Sequence, residues 1–153
     1  MATHIPPLAL VVAGLGAQHL LAKSDRPIHA GQRVAAIALG AVSVGFIATS
    51  VRQFRRSRTT VSPLSPDQAT SLVTTGPHRL SRNPMYVGMA GVLSAHALSR
   101  GSVAAVLPVL GFLAVIDRRQ IPAEEVALST RFGPAYTAYQ ARVPRWLGLP
   151  RHP

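Results

Sequence analysis

A chain of 153 residues with a net charge of +11, 48% hydrophobic and only 14% charged, is long enough for one domain and carries its apolar residues in runs separated by basic stretches. That pattern excludes an ordinary soluble domain built on amphipathic elements, and the absence of cysteine excludes disulfides, thiolate metal sites and a cysteine nucleophile. The arginines flank the apolar runs, a placement that suits anionic headgroups and argues against nucleic acid as a partner.

The first run, residues 5–21, is broken only by Gln18 and His19 and has prolines at its start. No basic residue precedes the run and no good small-residue cleavage pattern follows Leu21, so it reads as a retained helix and not a signal peptide. Residues 34–51 form the clearest membrane span, closed by Arg52, Arg55, Arg56 and Arg58, with Gly40, Ala41 and Gly45 offering small surfaces to a neighbour. The stretch from Arg52 to Arg82 is polar and too long for a tight turn.

Two shorter apolar runs, 85–98 and 102–116, are joined by Ser99, Arg100 and Gly101. Each is short for a hydrocarbon core of about 30 Å, so they either span with help from their flanks or stop part-way and leave a cavity. Gly88, Gly91 and Ala95 make a small-residue face on the first, and Pro108 kinks the second. Beyond them the chain turns polar: a helix over 122–131 ends at Phe132, Gly133 and Pro134, another covers 135–142, and Trp146 beside Arg145 reads as an interfacial anchor.

These elements predict an all-α fold: a polytopic membrane protein of about four transmembrane helices in a single domain, residues 1–153. Lys23, Arg26 and Arg33 follow the first run and Arg100 the third, whereas most of the arginine follows the second and fourth. Both termini and the loop of residues 52–84 are therefore expected on the cytoplasmic side, where loop and C-terminal tail close a site over the helix ends.

Four features bear on chemistry. The run from Gly76 through Pro77, His78, Arg79, Leu80, Ser81, Arg82, Asn83, Pro84 and Met85 to Tyr86 is a turn with a proline-started helix, and it also presents an amide, a phenol and backbone N–H groups at a positive helix end. Glu124 and Glu125 are two of only five acids in the chain. Adjacent helical positions point about 100° apart, so one carboxylate is expected to face a ligand and the other an arginine. Tyr136 and Tyr139 share a helical face, which is chiefly packing. The histidines at 4, 19, 29, 78, 96 and 152 show no metal-binding spacing, and His96 reads as a hydrogen bond to a neighbouring helix. No metal site is predicted.

The order Leu72, Val73, Thr74, Thr75, Gly76, Pro77, His78, then Arg82, Asn83, Pro84, Met85, Tyr86, Val87, Gly88, a helical hairpin, Glu124, Glu125, Leu128, Phe132, Gly133, Pro134, Ala135, Tyr136, Tyr139 and Val143, Pro144, Arg145 resembles the isoprenylcysteine carboxyl methyltransferase superfamily, which includes phospholipid methyltransferases. The resemblance covers residues 70–146. It implies an S-adenosylmethionine-dependent methyltransferase acting on a lipid-like or prenylated substrate at the cytoplasmic membrane face, among membrane lipids. It further implies cofactor contacts from Ser71, Leu72, Val73, His78, Asn83, Pro84, Met85, Tyr86 and Glu124. Where prenyl-protein members carry Arg-His-Pro this chain has Arg82, Asn83 and Pro84, and their substrate-contacting arginine falls near Gln120, leaving Arg119 as its replacement.

Two acceptors remain open. A carboxylate would be oriented by arginine and an amine would need a base, Glu125 or His78, so Arg119 and Glu125 are the catalytic candidates. The competing reading is a non-catalytic membrane subunit in which these motifs only punctuate topology.

Overall fold

The computed structural model describes residues 6–22, 27–57 and 69–150. His4, Lys23, Arg26, Arg58, His152 and the middle of the 52–84 loop lie outside the described residues. Among the described residues the fold is all-helical, with no strand. Helix α1 covers Pro7–Leu21, α2 Ala30–Arg56, α3 Pro84–Arg100, α4 Leu107–Val115, α5 Ile121–Phe132 and α6 Pro134–Arg142.

The helices begin and end where backbone chemistry dictates. Pro7, Pro84 and Pro134 open their helices at the first position, where the missing N–H costs nothing. Gly101 ends α3 with φ at +61°, a left-handed cap that a side chain would strain. Helix α2 is longer than its apolar run: it continues through Arg52, Gln53, Phe54, Arg55 and Arg56, all tolerated in helix, and at 27 residues is about 40 Å long. It is the one described helix long and apolar enough to cross a membrane unaided, and α1 is apolar but shorter.

Helix α2 buries only a stripe of small residues, Ala36, Ser43 and Ser50, spaced by seven, and leaves Val34, Ile37, Val42 and Val44 exposed. The stripe packs on α3 in antiparallel fashion: Gly40 faces Ala95, Ser43 faces Gly91, and Ile47 faces Gly88. A Cβ on Gly88 would lie 2.8 Å from the Ser43 carbonyl oxygen, so glycine permits this close approach. Ala41 is exposed and Gly45 meets nothing, so of the small residues expected to pack, α2 uses Gly40.

Helix α1 crosses the other side of α3, tied by a buried glutamine. Gln18 Nε2 donates to the carbonyls of Leu93 at 2.9 Å and Ala105 at 2.8 Å, and His96 Nδ1 donates to Gln18 Oε1 at 2.8 Å. His96 is thus a helix–helix hydrogen bond. Leu93, Ile116 and Ile121 are fully buried at the centre of the bundle.

The expected separation between the fourth apolar run and the carboxylate helix is absent. A 3-10 turn, Val103–Val106, leads into α4, and a π-helical turn, Ile116–Gln120, joins α4 to α5 without a break. Pro122 explains the widened turn, because its ring crowds the carbonyl four residues earlier and it has no N–H to donate. The phase of Glu124 is thereby set by the bundle. The arginine-bearing end of α2, the start of α3, and α5 with α6 lie at one end, and the α3–α4 turn at the other.

Candidate active site

Residues 69–83 approach α3 along the end of α2. Ser71 Oγ donates to the Ser57 carbonyl at 3.0 Å, Val73 is buried, and Leu72 packs on Tyr136, Tyr139 and Val143 with Leu128 and Phe132. Gly76, with φ at +63°, starts a 3-10 turn that turns His78 inward. The imidazole is 3% exposed, stands edge-on to Phe54 with centroids 4.9 Å apart, and completes no hydrogen bond through either ring nitrogen. Burial holds it down to about 4, with the Thr75 carbonyl acting weakly in the opposite sense, so it is neutral at pH 7. Its backbone carbonyl accepts from the Tyr139 hydroxyl at 2.7 Å.

The segment after α6 returns across the entrance to α3. Arg82 N–H donates to the Pro144 carbonyl and Gly148 N–H to the Leu80 carbonyl, each at 2.9 Å. Ser81 Oγ and Asn83 Nδ2 both donate to the Arg145 carbonyl at 3.1 Å. The Asn83 amide therefore holds the tail.

Above this entrance the two carboxylates of α5 diverge, as the helical angle between neighbours requires. Glu124 Oε1 accepts from the Tyr86 hydroxyl and from Gln120 Nε2, the latter at 2.8 Å. Neither partner is a cation. Burial pushes this carboxyl up to about 7, the charge of Glu125 adding to the shift and the two hydrogen bonds opposing it. Glu125 instead lies between two guanidinium groups, Arg82 at 2.7 Å and Arg145 at 2.7 Å. Arg145 also reaches Asp117 at 3.3 Å, and Trp146 Nε1 donates to Asp117 at 2.8 Å. The Trp146 and Arg145 bonds hold the Asp117 carboxyl below its usual range against the opposing effect of burial. Trp146, expected as an interfacial anchor, is half-buried against the bundle core and fastens the tail.

The structure thus brings His78, Asn83, Pro84, Tyr86, Glu124 and Glu125 to one end of the bundle, with Ser71, Leu72 and Val73 along its side. Met85 is half-buried in the first turn of α3. Arg119 stands apart: it is exposed on the π-helical turn and makes no side-chain bond among the described residues. Gln120, Arg82, Asp117 and Arg145 join this cluster through their side chains, although the sequence reading gave none of them a role. Arg82 and Arg145 lay within the quoted motifs, and Asp117 was a further member of a sparse acid set.

An open cavity of about 590 Å³ is lined by Thr70, Ala127, Thr130, Arg131 and Phe132. Ala127 and Arg131 follow Glu124 by three and seven residues, hence lie on the same side of α5. The Arg131 guanidinium also donates to the Ala69 carbonyl. Among the described residues no group of acids and histidines could hold a metal ion.

Compared with known families, residues 32–135 match the phospholipid methyltransferase family. The match begins near the start of α2 and ends in α6, reaching further towards the N-terminus than the motif-bearing half. An uncharacterized protein of Haemophilus influenzae (strain ATCC 51907 / DSM 11121 / KW20 / Rd) is 40% identical over 63 residues, which is 41% of this chain and all of that protein. No solved structure matches.

Proposed function

Because the chain belongs to the phospholipid methyltransferase family, we propose that it transfers the methyl group of S-adenosylmethionine to a lipid-like acceptor at the cytoplasmic face of a membrane. The observation that carries this reading is Glu124: a largely buried carboxyl bonded to a phenol and an amide, beside a second carboxylate that has two arginines. A desolvated acid without a cation is costly, and a cationic ligand relieves that cost. The ammonium and sulfonium of S-adenosylmethionine fit this requirement. When bound, the cofactor supplies a methyl group already activated by the sulfonium.

The chain's own residues then bind, orient and exclude water. Glu124 takes the cationic end, with Tyr86 and Gln120 fixing its carboxyl. The cavity further along α5, beside Thr70 and the segment Ser71, Leu72 and Val73, has the size of a small-molecule site and takes the remainder. His78, neutral and unpaired, offers one ring nitrogen as donor and the other as acceptor. Pro84 and Met85 form the apolar floor at the start of α3.

Glu125 has both carboxylate oxygens taken by guanidinium groups, and His78, held near 4, is a poor proton acceptor at pH 7. An amine acceptor therefore loses its proton to solvent, whereas a carboxylate needs no base and is met by Arg119. The whole chain is proposed as one integral membrane domain. In that arrangement the four apolar runs, 5–21, 34–51, 85–98 and 102–116, span the bilayer, and the loop before α3 and the chain from 117 onward both lie on the cytoplasmic side. Calorimetric titration of the detergent-solubilised chain with S-adenosylmethionine tests the reading: saturable binding supports it, and no heat at millimolar ligand rejects it.

A further inference from the structure

Arg145 is joined to three separate parts of the site. Its carbonyl oxygen accepts from Ser81 and Asn83, ahead of α3. Its guanidinium donates to both oxygens of Glu125 on α5, at 2.7 and 3.2 Å, and to Asp117 on the π-helical turn at 3.3 Å. Arg82 closes the far side of Glu125 at 2.7 Å. The described acids are Asp117, Glu124 and Glu125, so Glu124 is the one that no arginine neutralises.

We propose that Arg145 is a positioning residue of this site: it straps the segment after α6 across the entrance to α3 and, by sharing with Arg82 the neutralisation of Glu125, leaves Glu124 as the single uncompensated acid among the described residues for a cationic ligand. The inference rests on the reading of Glu124 given above. Its physical basis is the contiguity of the two acids. An unneutralised Glu125 would compete for the cation and, as a like charge, would drive Glu124 towards its protonated form. The groups facing Glu124 are Tyr86 from α3, Gln120 from the π-helical turn and Glu125 from α5. Tyr136 on α6 lies close enough to sense both carboxylates and Arg82.

The test reads the protonation of Glu124 directly, in the full chain and without ligand. The infrared band of its protonated carboxyl, identified by its loss in Glu124→Gln, is titrated in the parent, in Arg145→Gln and in the double variant Glu125→Gln/Arg145→Gln. In Arg145→Gln the midpoint should rise by roughly half a pH unit or more, and in the double variant it should return to the parent value or below. A strap with only a mechanical role leaves the midpoint unchanged in Arg145→Gln, or disturbs both variants alike, and either result overturns the proposal.

Should Arg145→Gln not fold, Glu125→Gln carries the test. Freed of the like charge, Glu124 should titrate lower, and an unchanged midpoint again overturns the proposal. Because this band needs no ligand, it answers for Arg145 separately from the S-adenosylmethionine titration, which answers for the cofactor reading itself.

Discussion

Replacing Glu124 by glutamine keeps the size and the hydrogen-bond acceptor for Tyr86 and removes the charge. If the carboxylate holds a cation, the substitution removes a charged hydrogen bond worth about 1.5–3 kcal/mol, so S-adenosylmethionine should bind roughly 10–100-fold more weakly. The apoprotein should behave in the opposite sense. The folded carboxyl titrates near 7 instead of its ordinary 4.5, so its contribution to stability is complete below 4.5 and is lost as pH rises through 7. Above that pH the fold carries a desolvated charge that glutamine lacks. Discounted for the partial exposure of Glu124, the substitution should stabilise the apoprotein by about 1–2 kcal/mol at pH 8 and by little at pH 4. Calorimetry with S-adenosylmethionine, with thermal unfolding at both pH values, reads the two effects. Unchanged affinity, or destabilisation of similar size at both pH values, would refute the assignment of a cation to this carboxyl.

Four further outcomes are expected. Cofactor affinity in the parent should be about tenfold weaker at pH 6 than at pH 8, since the ligand must displace a proton from Glu124, and a flat profile by calorimetry would contradict this. His78→Phe keeps the packing on Phe54 and removes two unsatisfied buried nitrogens, so it should weaken cofactor binding and yet stabilise the apoprotein in thermal unfolding. The gain should be largest near pH 4, because a histidine depressed to about 4 contributes stability above 6.5 that is lost as pH falls through 4. Gly91→Leu, which drives a side chain into Ser43, should destabilise the α2–α3 contact by about 1–3 kcal/mol, while Gly45→Ala, in open space inside α2, should stabilise by about 0.5–1 kcal/mol in the same assay. In the cysteine-free chain, an impermeant thiol probe should label Thr137→Cys only from the cytoplasmic side and Val103→Cys only from the opposite side.

Much of the bundle was legible because its rules are local. The prolines that open α1 and α3, the glycine that ends α3 and the face made by Gly88, Gly91 and Ala95 follow from dihedral freedom and side-chain size. The divergence of Glu124 and Glu125 follows from the angle between neighbouring helical residues. The far end of α2 was hidden because Arg52 marks where apolar character stops and not where the helix does. The π-helical turn was hidden because the effect of Pro122 depends on the bundle holding both sides of the helix in place. The strap was less visible still. Its backbone pairing between Arg82 and Pro144 and its arginine bridge from Arg145 to Asp117 and Glu125 join residues far apart in the chain, and nothing in either local stretch announces the other. The same holds for Arg119, which lies beside Gln120 in sequence but faces outward while Gln120 reaches Glu124.

The central claim is methyl transfer from S-adenosylmethionine to lipid by this chain alone. The purified protein, reconstituted in vesicles of total membrane lipid and given methyl-labelled S-adenosylmethionine, should move label into the organic phase. That transfer should be inhibited by S-adenosylhomocysteine and reduced in Glu124→Gln. Label that stays in the aqueous phase, in vesicles where the parent chain is folded and inserted, would contradict the account.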